Sequence, residues 1–305
     1  TQTGTLAIST PYFLTIPKSR DRHTSAPLLS KHVLPFFGEM KVGAISFEDI
    51  ERFVGEKLSE VKRSTVRQHI NVLRMVLSAG VRWKKLRANV AKEKQNYGTW
   101  EDKDQEIDPL AREEVRTFLD HAGEWHTFFM VAFCTGMRVG EMLAMKWINL
   151  EGDNYSVTEN LRRDRTFGAP KTRSSKAPVK LSPDVVAALR TQRKRVAEQR
   201  LQAKTWEDLD LIFPMDTGKP YGDHSIRLRF HEMLKALNIP RRRLHDIRHT
   251  CAALMMKRGE TVLAVQRQMR HASAKMTLDV YGHLYPEDHV EAVARFDEQI
   301  RVTNI

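Results

Sequence analysis

The chain has 305 residues, 41% hydrophobic and 29% charged, enough for two domains with packed cores and too apolar for global disorder. Fifty Lys and Arg against thirty-eight Asp and Glu give a formal charge of +12 and a pI near 9.7. That balance favours a polyanionic partner, because each neutralised phosphate releases counterions.

No stretch approaches the roughly eighteen apolar residues of a membrane span, and the mean hydropathy is −0.48. Thr1 to Thr10 lacks a basic segment followed by an apolar run, so no signal peptide is visible. The chain opens on Thr1 rather than Met, which leaves room for a preceding segment. Two cysteines, Cys134 and Cys251, cannot build a disulfide scaffold and do not have metal-ligand spacing. A reducing cytoplasm is the simplest compartment.

In chain order, a helical region is expected from about Thr24 to Leu86. His32 to Pro35 close one short helix before a turn at Phe37-Gly38. Ser46-Phe-Glu-Asp49 reads as a capping box opening a helix that buries Ile50, Phe53, Val54 and Leu58. A longer helix starts near Ser64, with Val66, Ile70, Leu73, Leu77 and Val81 at three- and four-residue spacing. Its other faces carry Arg63, Arg67, Arg74 and Arg82, followed by Lys84, Lys85 and Arg87. This is a small all-helical domain, 1–90, with a basic flank. Residues 91–109 are polar, lack a hydrophobic period and end in Pro109, the pattern of a linker.

A second domain, 110–305, begins with helical periods at Arg112 to His121, Trp125 to Cys134 and Val139 to Met145. Tyr155 to Leu161 and Ala177 to Leu181 read as strands around a basic turn, forming a hairpin or small sheet. Ser182-Pro183 starts a helix reaching about Ala203. Further helices are expected at His224 to Leu237, Leu244 to Arg258, Val262 to Met269 and Asp288 to Ile300. The fold class is mainly α with a small antiparallel β-sheet.

Three stretches could carry chemistry. Cys134-Thr-Gly-Met-Arg138-Val-Gly-Glu141 sets an Arg at a helix start after a glycine turn, where a guanidinium can clamp two phosphate oxygens. The alternative is a surface Arg. Glu141 could orient it or simply favour the helix N-terminus. His245-Asp-Ile-Arg248-His249 places His and Arg on one helical face. A zinc-protease reading of this segment is rejected: Asp246 is shorter than the required Glu, Arg248 opposes a cation, and no third ligand is evident. A structural helix with a solvated His pair is the remaining alternative. His271 lies ten residues before Tyr281, and alone this pair means little.

Taken in chain order, the stretches carry more. Thr135-Gly-Met-Arg-Val-Gly-Glu141, Pro170-Lys-Thr172, Leu244-His-Asp-Ile-Arg-His-Thr250 and Arg270-His-Ala-Ser through Thr277-Leu-Asp-Val-Tyr-Gly-His-Leu284 resemble the tyrosine recombinases, the phage-integrase family. The likeness covers the whole second domain, and more loosely the first, which resembles the family's core-type DNA-binding domain. It implies a tyrosine-recombinase catalytic domain that cleaves and rejoins DNA through a 3′-phosphotyrosine, for integration or excision of a phage or mobile element. A chromosome-dimer resolvase, a type IB topoisomerase-like enzyme and a non-catalytic DNA-binding regulator are the other readings.

The resemblance implies that Arg138 and Arg248 hold the non-bridging oxygens of the scissile phosphate, and that Lys171 protonates the leaving 5′ oxygen. His245 would assist proton transfer at the nucleophile, His271 would hydrogen-bond the phosphate, and Tyr281 would attack phosphorus. Glu141 would stiffen the Arg138 helix. Two Arg, a Lys and two His supply the charge stabilisation that a metal supplies in many nucleases, so no metal and no cofactor are expected. Candidate DNA contacts are Arg63, Arg67, Arg74, Arg82, Arg173 and Arg270.

The implied partners are duplex DNA with inverted half-sites, three further copies in a tetramer on two duplexes, a DNA-bending accessory protein and an excision factor, on the nucleoid of a bacterial host. Residues 1–20 would be a linker from a missing arm-binding domain. The amphipathic segment 288–300, with Val290, Val293, Ala294, Phe296 and Ile300 as its stripe, would dock on a neighbouring protomer. The family usually has Gly where Arg270 stands, so the turn there is in question, and Tyr285 is a second candidate nucleophile.

Overall fold

A computed structural model describes residues 22–92, 107–170 and 177–282. Lys171, Arg173, Tyr285, most of the expected linker, segment 1–20 and the helix expected at 288–300 lie outside the described residues. The chain divides into two compact units, Thr1–Glu106 and Ile107–Ile305.

The first unit is helical. Helix α1, Arg22–Leu28, passes through a π turn, Leu29–Val33, into α2, Leu34–Phe37. The π turn sits between Pro27 and Pro35, each of which removes one backbone donor from the helical ladder. Helix α3 spans Phe47–Glu60. Its capping box is reciprocal: Ser46 Oγ accepts from Asp49 N (3.2 Å) and Asp49 Oδ2 accepts from Ser46 N (2.9 Å). Ile50, Phe53 and Val54 are buried as expected, but Leu58 is 38% exposed. It lies in the last turn of α3, past the apolar face that the other three form.

Helix α4, Arg63–Arg82, buries Val66, Ile70, Leu73 and Leu77, while Val81 is only half-buried. It also buries His69, whose ring stacks on His32 with centroids 4.4 Å apart. Burial, then the neighbouring His32, hold the His69 pKa below its ordinary value. The core extends beyond the expected boundary at residue 90. Ala91 is fully buried, within a 3₁₀ turn at Val90–Lys92. Arg74 Nε donates to Ala91 O (2.8 Å) and its Nη1 to Asn71 Oδ1 (3.1 Å), so this half-buried Arg braces the unit's end.

The second unit is built on α6, His126–Thr135, which is apolar on all sides and therefore central. Against it pack α5 (Arg112–Asp120), α8 (Pro183–Gln202) and α10 (Asp246–Lys257). Phe118, Phe128, Phe129 and Phe230 fill the interior, with Phe118 meeting Phe129 edge-on at 5.0 Å; Phe230 comes from α9, Asp223–Ala236. Helix α7 is a single turn, Val139–Met142, shorter than the sequence period suggested. Helix α11 spans Val262–Met269 as expected. Helix α12, Ala274–Tyr281, was not foreseen; Ser273 caps it, accepting from Met276 N at 3.3 Å.

The β-structure is two small antiparallel sheets. Strands β1 (Leu150–Glu151), β2 (Asn154–Tyr155) and β5 (Val179–Lys180) form one antiparallel sheet in the order β1-β2-β5, with Tyr155 opposite both Leu150 and Val179. Strands β3 (Asn160–Leu161) and β4 (Phe167–Gly168) pair separately, Leu161 opposite Phe167. The expected strand Tyr155 to Leu161 is thus two. Its first part is anchored by the buried Tyr155, whose hydroxyl accepts from Lys146 N (3.1 Å). The basic turn closes locally, Arg162 N donating to Thr166 O at 2.9 Å.

Candidate active site

The motif Thr135-Gly-Met-Arg138 is the exit of α6 and the entry of α7. Gly136 ends α6 in the left-handed region, φ +59°, with its N–H on Ala132 O (3.0 Å). A Cβ there would sit 2.6 Å from Met269 Sδ and 2.9 Å from its Cε, so the position requires glycine twice over. We expect Gly136→Ala to lower stability by more than about 1 kcal/mol, read as a fall in Tm. Gly140 is needed for another reason: a Cβ would meet Asn160 Oδ1 at 2.5 Å and Leu161 O at 2.7 Å, where α7 lies against β3.

Arg138 is the N-cap of α7, and Glu141 holds it. Glu141 Oε2 accepts from Arg138 N (3.0 Å) and Oε1 from Arg138 Nη1 (2.9 Å). The carboxylate is buried and also receives Nη2 of Arg270. Arg270, a candidate DNA contact, is not a solvated surface side chain: it is fully buried in this ion pair. The doubt about its backbone is answered too. Arg270 caps α11 in the left-handed region, φ +52° and ψ +44°, so the tight turn forms without glycine. A non-glycine residue there costs roughly 1–2 kcal/mol, which the pair with Glu141 helps to offset.

Arg248 lies on the first turn of α10, 5% exposed. Its Nη1 donates to Gly136 O (2.5 Å) and its Nη2 to Met269 O. One guanidinium thus ties the end of α6 to the end of α11. Burial first, then Arg138 and Arg270, bring its pKa down to about 10, so it stays charged at neutral pH. His245, exposed, precedes α10 and meets His249 edge-on, ring centroids 5.0 Å apart.

His271 follows the Arg270 turn, its backbone N–H on Gln266 O (3.0 Å), and its Nδ1 pairs with Thr277 Oγ1 (2.9 Å). Its ring lies nearly parallel to that of Tyr281 at 6.4 Å. Burial, followed by Arg248 and Arg138, lowers the His271 pKa to about 4.

Tyr281 ends α12 and is 2% exposed, packed in a cluster with Cys251, Ala252, Met256, Val265 and Met269. Its hydroxyl pairs with His249 Nδ1 at 2.6 Å. Burial raises the phenol's pKa above its ordinary value, while Arg248 opposes that rise. Arg138, His245, Arg248, His271 and Tyr281 therefore converge where α6, α10, α11 and α12 meet.

Two participants escaped the sequence reading. His249 was set aside with the rejected metal motif, and Thr277 was seen only as part of a matched stretch. The signal for His249 was its place one residue after Arg248; nothing in the spacing pointed it at Tyr281. Among the described residues no group of three or more His, Cys, Asp and Glu is placed to hold a metal ion. No helix among them is long and apolar enough to cross a membrane.

A sequence model of the phage integrase family matches residues 109–288, and the chain belongs to that family. It is similar to the ICEBs1 integrase of Bacillus subtilis (strain 168), 31% identical over 179 residues, 56% of this chain and 48% of that protein. It is also similar to a tyrosine recombinase XerC-like protein of Caldanaerobacter subterraneus subsp. tengcongensis, 25% identical over 284 residues, 85% of this chain and 72% of that one. The chain thus spans about half the length of the Bacillus relative.

Among solved structures, the Tn1549 transposon integrase in complex with transposon right end DNA superposes with a TM-score of 0.75 at 17% identity, covering 95% of this chain and 98% of that one. A lambda integrase dimer bound to a core site gives 0.65 at 13% identity, covering 89% and 92%. These likenesses establish the fold: mainly helical with small antiparallel sheets, as the sequence indicated.

Proposed function

We propose that this protein is a site-specific DNA recombinase of the integrase or excision type, acting for a phage or mobile element. The observation that carries the reading is the gathering of two arginines and three histidines in one site with Tyr281, whose hydroxyl meets His249. A phenol with an ordinary pKa near 10 is a weak nucleophile at neutral pH, and cations that stabilise the developing phosphorane charge make its attack feasible.

In this reading Arg138 and Arg248 hold the non-bridging oxygens, with His245 and His271 beside them. Glu141 positions Arg138. Tyr281 Oη bonds to phosphorus, the bond to the 5′ oxygen breaks, and a 3′-phosphotyrosine remains. The phosphodiester energy is conserved in that bond, so religation by a 5′ hydroxyl needs no nucleotide.

Duplex DNA with inverted half-sites is the proposed partner, engaged by both units. Arg63, Arg67 and Arg82 are exposed on or beside one helix of the first unit and are its candidate phosphate contacts, with Arg173 in the second. Assembly as a tetramer on two duplexes, docking of segment 288–300 on a neighbour, and help from a bending protein and an excision factor belong to the same proposal, as does a place on the nucleoid.

The test begins with selection of bound duplexes from a random pool. Covalent protein–DNA species are then trapped on the selected site, and recombination is assayed between two such sites. Absence of a covalent species would leave the DNA-binding regulator. Adduct without joining of two duplexes would leave a topoisomerase-like enzyme.

Lys171 in Pro170-Lys-Thr172 is the proposed general acid. An acid matters only while the leaving oxygen needs a proton. Lys171→Ala should therefore cleave ordinary DNA poorly, by about 100-fold or more, and recover on a substrate whose bridging 5′ oxygen is sulfur. No recovery would move the role to Lys176 or another residue.

A further inference from the structure

The nucleophile's proton has a definite neighbour. Tyr281 Oη lies 2.6 Å from His249 Nδ1, closer than the usual separation for such a bond. With the phenol as donor, Nδ1 accepts and the neutral ring carries its own hydrogen on Nε2, the tautomer on which the step below depends. His245, to which the resemblance gives proton transfer at the nucleophile, touches His249 edge-on and is one ring further from the phenol.

We propose that His249 is a further catalytic residue, its Nδ1 taking the phenolic proton as Tyr281 Oη bonds to phosphorus. This rests on the recombinase reading above. The step balances: the O–H bond breaks and an Nδ1–H bond forms, the Oη lone pair makes the bond to phosphorus, and the 5′ oxygen leaves with its electron pair and takes a proton from the general acid. On religation the 5′ hydroxyl attacks and gives its proton back to the deprotonated general acid, while His249 returns its proton to the departing tyrosyl oxygen.

The surroundings explain why the proton moves only with DNA present. Groups facing His249 are His245, Asp246 and Arg248 from its own segment, Arg243 just before it, Tyr281 from α12, and His271 beyond Tyr281. Burial first, then His245, with Arg243 and Arg248 adding to them, hold its pKa down to about 4, with only Asp246 opposing. Tyr281 is displaced the other way by its own burial. The DNA-free protein thus keeps a neutral phenol bonded to a neutral imidazole, and holds no phenolate ready for stray cleavage. A phosphodiester seated against Arg138 and Arg248 brings in negative charge, which raises the imidazole's basicity. As the Oη–P bond forms, the phenolic proton becomes strongly acidic, and a weak base suffices.

The experiment uses the full chain and a duplex carrying the selected site, nicked so that the released 5′-hydroxyl fragment diffuses away. Adduct formation is followed in a single turnover for wild type, His249→Ala and His249→Asn, with Tm and DNA affinity measured for each. The Asn side chain presents an acceptor near the place of Nδ1 but cannot take a proton. Both variants are expected to bind DNA normally and to form adduct about 100-fold or more slowly. Exogenous imidazole is expected to restore part of the His249→Ala rate.

A wild-type rate in His249→Asn would show that a hydrogen bond is enough and overturn the proposal. An equal or faster rate in His249→Ala would overturn it as well, the latter making His249 a restraint. A wild-type protein that itself forms no adduct would instead sink the recombinase reading, so the two failures are distinguishable.

Discussion

Tyr281→Phe is expected to fold, to bind DNA with wild-type affinity, and to form no covalent adduct at all. The substitution removes one oxygen and leaves the ring, which is the part buried among Cys251, Met256, Val265 and Met269. What is lost to the fold is the hydrogen bond to His249, worth about 1 kcal/mol. What is lost to the chemistry is the only atom proposed to attack phosphorus, so the effect is total rather than graded. Trapping on a nicked duplex, alongside a filter or gel measurement of affinity, reads both properties. Tyr285→Phe serves as the control, since Tyr285 is the other tyrosine near the motif. Adduct persisting in Tyr281→Phe and vanishing in Tyr285→Phe would reverse the assignment of the nucleophile.

How much of this site was legible depended on whether a residue's partner lay within one turn of it. The Ser46–Asp49 capping box and the Ser182-Pro183 helix start follow from spacing alone, because donor and acceptor sit three residues apart. Helices α4 and α11 announced themselves by a three- and four-residue apolar period. The chemistry-bearing residues were found by motif order, which carries no geometry. Nothing local tells that Arg248 reaches the carbonyl of Gly136, 112 residues away, or that Arg270 turns inward to Glu141 across 129 residues. Arg270 looked like a surface cation because an unpaired Arg almost always is one; its partner comes from another helix.

The two-residue strands misled for a related reason. A segment that alternates from Tyr155 to Leu161 satisfies a strand pattern, yet its halves answer to different partners, β5 for Tyr155 and β4 for Leu161. Pairing is a non-local choice, and the period-two signal is blind to it. Leu58 shows the converse error. It keeps the helical period of α3, but the core ends before it does.

Arg248 is the residue at which fold and function are hardest to separate, and the second large effect is expected there. Its guanidinium bonds the carbonyls of Gly136 and Met269, so it fixes two chain segments that carry Arg138 two residues after the first and His271 two residues after the second. Arg248→Ala would leave both carbonyls without their donor in a buried setting and remove a charge that Glu141 partly balances. A loss of about 3–5 kcal/mol is expected, typical of breaking a buried charged network, and Tm should fall accordingly. Arg248→Lys distinguishes the two roles. An ammonium keeps the charge, but it is a single point on a flexible stem and lacks the planar fork that meets two acceptors and a phosphate edge together. It should retain most of the fold, bind DNA, and form adduct about 100-fold or more slowly, as loss of one preorganised donor to a developing oxyanion does. A stable Arg248→Lys protein with the wild-type adduct rate would mean that charge alone is required, and that the double clasp serves only to join α6 to α11.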